Sequence, residues 1–225
     1  MINNYSEFKQ FISNLTSKPK LLLHACCAPC SSHTLFLLAP YFSITIFYSN
    51  DNIFPKEEFE KRIEEIKNFV NNAKLDVKII ADDYDYNRFL NAVKGLESLG
   101  ERSKRCYSCY TLRLERAALY AKENNFDYFT TTLSISPYKV TSWINEIGYN
   151  LEKKYNIKYL FSDFKKEDGY KDSIKLSQEY NLYRQDYCGC AFSKHEKEEK
   201  TKWKKALFFV VVVQRELIKW VLGKH

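Results

Sequence analysis

Seven cysteines in 225 residues fall into three short windows: Cys26-Cys27 with Cys30, Cys106-x-x-Cys109, and Cys188-x-Cys190. Thiolates are soft ligands for zinc and iron–sulfur clusters, and paired thiols also store two electrons as a disulfide. A bridge between adjacent Cys26 and Cys27 would close a very small, strained ring, so this pair suits metal better. Reading the two as small buried hydrophobes requires the preceding strand to end before them, because neighbours in a strand point to opposite faces. Cys106 and Cys109 share one face of a first helical turn, with Arg113 one turn further along it. C-x-x-C alone serves zinc, iron–sulfur and thioredoxin-type sites alike. Its partner here is Cys26-Cys27, far upstream, which points to a site between secondary elements rather than a local staple. Spacing does not separate Zn²⁺ from a [4Fe–4S] cluster.

Cys188-Gly189-Cys190 is chemically distinct. A C-x-C disulfide is strained and easily reduced, and glycine supplies the backbone freedom that such a ring requires. The pair reads as a redox-active dithiol or as two thiolates on a labile metal; half of a structural zinc site is the alternative. Cys30 is either a further metal ligand or a packed thiol. His24 and His33 flank the first window; a lone histidine beside a strand is more often a satisfied core residue than a ligand, and neither is assigned a role.

Elements must bring these windows together. Lys20–Ala25, Ser43–Tyr48, Asp76–Ala81 and Tyr128–Leu133 read as buried strands, with Ile157–Phe161 a weaker fifth. Pro55–Val70, Tyr110–Asn125, Thr141–Lys154 and Tyr170–Tyr180 carry helical periodicity, and Ala28-Pro29 sets up a helix start near Cys30. A helix N-terminus lowers the pKa of nearby thiols, which favours thiolate there. Strand–helix alternation with short links predicts an α/β fold, a parallel sheet with helices on both faces. In such sheets ligands bind beyond the carboxyl ends of the strands, where Cys26-Cys27 would lie. Residues 1–193 are expected to form one domain. Residues 194–225, lysine-rich and then apolar, are expected to form a helical extension packed on the core or on a partner.

Only six glycines are present, none closer than five residues apart, so neither G-x-x-x-x-G-K nor G-x-G-x-x-G occurs. Residues 1–100 carry 11 Lys/Arg against 12 Asp/Glu, whereas 101–225 carry 24 against 16. This split suggests a polyanionic partner on the C-terminal half, with a solvated basic surface as the plain alternative. Met1–Phe8 has neither the basic start nor the apolar core of a secretory signal, and Ala206–Val213 is too short to span a bilayer. A cytoplasmic protein with free thiols and no membrane association is expected.

Six ordered stretches carry a resemblance. They are His24–Pro29, Ser49–Pro55, Arg105–Tyr110 with Arg113-Leu114, Thr130–Lys139, Asp163–Lys166 and Tyr183–Cys190. Together they resemble the cobalamin-independent epoxyqueuosine reductases of the QueH type, over about Leu21 to Ser193. The resemblance implies a Rossmann-like fold layered as in nucleotide hydrolases. It implies the last step of queuosine synthesis, in which the epoxide of epoxyqueuosine at the tRNA wobble position becomes an alkene with loss of water. It further implies a [4Fe–4S] cluster on Cys26, Cys27, Cys106 and Cys109, and a redox-active Cys188/Cys190 pair. The readings open for Cys30, Cys188 and Cys190 include holding one additional iron beside the cluster.

The expected partners are tRNA carrying epoxyqueuosine and an unidentified electron donor. Five basic residues against two acidic ones occupy Glu101–Arg116, interleaved with Tyr107 and Tyr110. Cations on phosphates and aromatics under unpaired bases are how RNA loops are held. Arg105, Arg113, Lys139 and Arg184 are the candidate RNA contacts, and tRNA affinity is expected to fall steeply with salt. Two rivals are a cluster-dependent tRNA thiolase, which lacks its glycine-rich pyrophosphate loop here, and a zinc-stabilised RNA-binding module with no catalysis.

Overall fold

The computed structural model describes residues 4–161 and 163–222. Its sheet comprises β1 (Lys20–His24), β2 (Ser43–Tyr48), β3 (Lys78–Ala81), β4 (Tyr128–Thr131) and β5 (Lys158–Tyr159). Every neighbouring pair is parallel, in the order β3-β2-β1-β4-β5. The helices are α1 (Tyr5–Ser13), α2 (Ala28–Leu38), α3 (Lys56–Asn72), α4 (Tyr86–Ala92), α5 (Lys104–Glu123), α6 (Thr141–Tyr155), α7 (Gly169–Glu179) and α8 (Ala191–Leu222). The predicted α/β architecture is the observed one.

The centre of β1, Leu21–Leu23, is apolar without interruption because both of its faces are covered. Alternate side chains divide between two cores. Leu21 and Leu23 pack with Phe8 and Ile12 of α1, Leu35 of α2 and Ile66 and Phe69 of α3. Leu22 packs on the other side with Leu114, Ala117 and Ala121 of α5 and Ile144, Ile147 and Leu151 of α6. β2 obeys the same rule, sending Ile44, Ile46 and Tyr48 to the first core and Phe47 to the second. Parallel strands bring every strand's carboxyl end to one edge. The chain runs outward from β1 through β2 to β3, then returns to place β4 on the other side of β1. The crevice between the loops after β1 and β4 is therefore the switch point where such sheets take ligands.

Several element bounds differ from those expected, each for a local reason. β1 stops at His24, so Cys26 and Cys27 lie beyond the strand. β4 stops at Thr131, whose hydroxyl accepts a bond from Leu133 N at 3.1 Å and turns the chain into a 3-10 segment, Thr132–Ile135. Helix α5 begins at Lys104, ahead of the apolar pattern read over Tyr110–Asn125, and is capped by Ser103 accepting from Arg105 N, so both cysteines of the second window lie in its first turns, as expected. Helices α1 and α4 escaped the periodicity reading because each is short. Their caps are Asn4, accepting from Glu7 N, and Asp85, accepting from Asn87 N. The lysine-rich tail is helical as expected and continuous with Ala191, but its expected packing over residues 206–222 falls largely on side chains outside those described. No helix among the described residues is long and apolar enough to cross a membrane.

Gly148 lets α6 approach the sheet closely. A Cβ placed there would lie 2.4 Å from carbons of the Tyr159 ring on β5. Gly148→Ala is expected to destabilise the fold by about 1–3 kcal/mol through overpacking, read as a lower thermal midpoint.

Candidate metal centre

Cys27 caps the N-terminus of α2, with Pro29 in the first turn, so the chain reverses sharply just past β1. That reversal brings three thiols together. The Sγ atoms of Cys26, Cys27 and Cys30 all lie within 4.8 Å of one another, with Cys26 and Cys27 3.8 Å apart. The strand does end before the adjacent pair, as a purely hydrophobic role would require. The gathering of three thiols, however, is what a metal ion needs, and this group could hold one. Cys30, left undecided by its spacing, belongs to it. Thiolate character does not gather at Cys30 as the helix terminus suggested. Hydrogen bonds from Cys27 and Cys30 hold the Cys26 thiol well below the ordinary range, helped by Arg113 and Lys139 and opposed by burial. Donating that bond pushes Cys27 up to about 11, and Cys30 is raised for the same reason.

A cleft of about 670 Å³ opens beside this group. Cys26 and Cys30 line one wall, Cys106 and Tyr110 of α5 another, and Cys188 a third. All three cysteine windows thus reach one cavity at the switch point. The two cysteines of α5 differ in surroundings. Cys106 borders the cleft, whereas Cys109 is buried against Phe89, Val93 and Cys190.

Cys188 is held well below the ordinary thiol range by a hydrogen bond from Cys190, against burial, with Lys139, Arg113 and Arg62 adding positive charge. Cys190 is raised correspondingly. The loop between them is pinned from several sides. Lys139 Nζ donates to Cys188 Sγ at 3.5 Å. Cys188 N donates to Ser193 Oγ, which in turn donates to Glu101 at 2.6 Å. Phe54 N donates to Gly189 O at 2.9 Å. Gly189 has φ +114°, and a Cβ there would meet Arg62 Nη1 at 2.8 Å, so both conformation and space demand glycine.

Two guanidiniums stand behind the thiols: Arg113, which spacing placed on the face of Cys106 and Cys109, and Arg62, which it did not single out. Arg62 is 1% exposed, bonds Glu58 at 2.7 Å and reaches Cys188 O. It projects from the apolar face of α3, between Phe59 and Ile66, and a charge on that face was the available signal. Arg113 is 2% exposed and donates to Asn50 Oδ1 at 2.5 Å, while Asn50 Nδ2 donates to Ala25 O at 2.8 Å. Asn50 therefore ties α5 to the turn that carries Cys26. Arg62 Nη2 and Arg113 Nε have no hydrogen-bond partner among the described residues. Neither Arg113 nor Lys139 has a carboxylate within ion-pair distance there. A buried cation without a counter-charge is costly. Thiols carrying negative charge, as metal-bound thiolates do, would supply it, so the donor set and its surroundings fit an anionic metal–thiolate centre.

The other candidate residues are tied down internally. Arg105 is 3% exposed, donates to Glu97 O and Glu196, and lies 4.7 Å from the Phe192 ring, fastening α8 to α5. Arg184 lines the cleft and donates to Ser173 O and Ser177 Oγ. Arg116 pairs with Asp82, and Arg102 holds the carbonyls of Pro137 and Tyr138. Within the motif Ser49–Pro55, Asp51 is clamped by Arg88 at 2.8 and 3.1 Å. His24 is a satisfied core histidine, bonded to Thr131 Oγ1 and Ser49 O and held neutral by burial, which lowers it to about 3.

The comparison with known proteins follows the same residues. A family described as epoxyqueuosine reductase QueH matches residues 21–196, which takes in all seven cysteines and all of the sheet but Lys20. The chain belongs to the QueH family. It is 41% identical over 198 residues to epoxyqueuosine reductase QueH of Streptococcus pyogenes serotype M1, covering 84% of this chain and 78% of the relative. The namesake from Staphylococcus epidermidis is 43% identical over 78% of this chain and 76% of its own. The one from Thermotoga maritima is 39% identical over 80% and 93% respectively. The family and the reductase class implied by the six sequence stretches are thus the ones found. The family match ends at residue 196, early in α8.

Proposed function

We propose that the protein reduces epoxyqueuosine in tRNA to queuosine, removing the epoxide oxygen as water in a two-electron step. The observation that carries this reading is a single cleft lined by Cys26, Cys30, Cys106 and Cys188 in a chain of the QueH family. Cys26, Cys27, Cys106 and Cys109 would hold a [4Fe–4S] cluster. The Cys26–Cys27–Cys30 group and the counter-charge of Arg113, which acts on Cys26, Cys109 and Cys188 alike, support a thiolate-bound centre here. When bound, such a cluster supplies electrons one at a time.

Converting the epoxide to an alkene consumes two electrons and two protons. Oxidation of the Cys188/Cys190 dithiol to a disulfide releases that number of each, so the step balances with one water formed. An external reductant then restores the dithiol. Lys139, whose ammonium bonds Cys188 Sγ, keeps a cation where negative charge develops on the departing oxygen. Tyr110, Tyr138, Tyr170 and Tyr187 line the cleft and are suited to stack on an unpaired base. An additional iron on Cys188 and Cys190 is the second reading, favoured by the low-lying Cys188 thiolate.

The test is anaerobic incubation of the iron-reconstituted protein with tRNA carrying epoxyqueuosine and a chemical reductant, followed by nucleoside analysis. Queuosine should appear in proportion to bound iron. Equal turnover with zinc alone, or none with iron, would remove this reading.

A further inference from the structure

The family match ends at residue 196, yet α8 runs on to Leu222, and its first turns form part of the cleft wall. Ser193, Glu196, Lys197, Lys200 and Lys204 all line the cavity. At 3.6 residues per turn the three lysines fall within roughly 60° of one another on the helix. They span about 10 Å along its axis, at 1.5 Å per residue. Lys197 is paired with Asp186, across the mouth of the cleft. Lys200 and Lys204 are exposed and have neither an ion pair nor a hydrogen bond among the described residues. Lys202, on the opposite side of the helix, is instead paired with Glu199 at 2.8 Å. Trp203, 74% exposed, borders the lysine row.

We propose that this lysine face of α8 is a phosphate-binding rail that seats the backbone of the substrate tRNA as its modified base enters the cleft. The inference rests on the tRNA substrate proposed above. Other cations near the thiols are already committed: Arg105 to Glu196, Arg116 to Asp82, Arg113 and Lys139 to the thiols. A basic row that begins at the cavity rim with Lys197 and continues away from it with the uncommitted Lys200 and Lys204 has the charge and direction that a polyanionic strand requires. Lysine, a compact point charge on a flexible stem, suits phosphates whose positions differ between tRNAs.

The experiment measures tRNA binding by the full-length, metal-loaded protein across a salt series. The probes are tRNA carrying epoxyqueuosine and unmodified bulk tRNA. For K200E/K204E the slope of log K against log salt should become less negative by about 1.5, at roughly 0.7–0.9 per lost phosphate contact. Kd should rise about tenfold or more near physiological salt, for both RNAs. K200A/K204A should show the same slope change without introducing repulsion, and K202E, a matched charge change on the other face, should bind like the wild type. An unchanged slope in both double variants, or an equal loss in K202E, overturns the rail. If the wild type leaves epoxyqueuosine intact while the double variants still flatten the salt dependence, the reductase reading falls and the rail stands.

Discussion

Cys188→Ser is expected to lower turnover of epoxyqueuosine by about a thousandfold or more, the scale of losing a group that acts in the chemical step. Bound metal and tRNA affinity should stay near wild type. Cys188 lines the cleft and carries the depressed thiol, while Cys190 sits behind it as hydrogen-bond donor. If the pair works as a dithiol, Cys190→Ser loses as much, because neither serine variant can close a disulfide. If Cys188 acts mainly as a ligand or nucleophile, Cys190→Ser keeps part of the rate. Measuring both variants in a single-turnover assay separates the two roles. Full turnover by Cys188→Ser would eliminate any chemical part for this loop.

Loss of the metal is the expected outcome of Cys26→Ser. Cys26 is the thiol on which the hydrogen bonds of Cys27 and Cys30 converge, and it faces both Arg113 and Lys139. Serine does not ionise at neutral pH and is a poor ligand for soft metals, so bound iron should fall to a few per cent of wild type, together with activity. The measurement is iron and sulfide content after anaerobic reconstitution, with the visible charge-transfer band as a second readout. Cys30→Ser sorts the ligand sets. Full metal content in that variant assigns the remaining positions to Cys106 and Cys109. A loss as deep as that of Cys26→Ser assigns one to Cys30. Retention of iron by Cys26→Ser would mean that the gathered thiols are packing, not ligation.

Much of the site was legible in the chain because thiols are rare and their clustering is informative without coordinates. Cys26-Cys27 could be placed past a strand and Cys106 at a helix start, since Leu21–Leu23 form an unbroken apolar run and α5 carries a clear apolar stripe. What spacing lacked was depth. Arg105 and Arg113 look alike as basic residues of one segment, yet both are buried, one holding α8 to α5 and the other facing the thiols. Arg62 could be told by its place on the apolar face of α3, but the mixed segment around Arg105 and Arg113 carries no such mark. Asn50 carried no signal beyond its motif, because bridging Arg113 to the carbonyl of Ala25 requires three segments that meet only in the folded sheet.

Composition and periodicity by themselves determined the class of fold, the edge of the sheet where the cysteines gather and the chemistry that thiols permit. These depend on side-chain type and on the repeats of strand and helix, which are local properties. Tertiary structure decided that Cys30 joins Cys26 and Cys27, that Cys106 and Cys109 have different neighbours, and which lysines of α8 look into the cleft. Those outcomes depend on how the loops after β1 and β4 and the starts of α5 and α8 converge. That convergence follows from the sheet order, a property no single stretch of the chain contains.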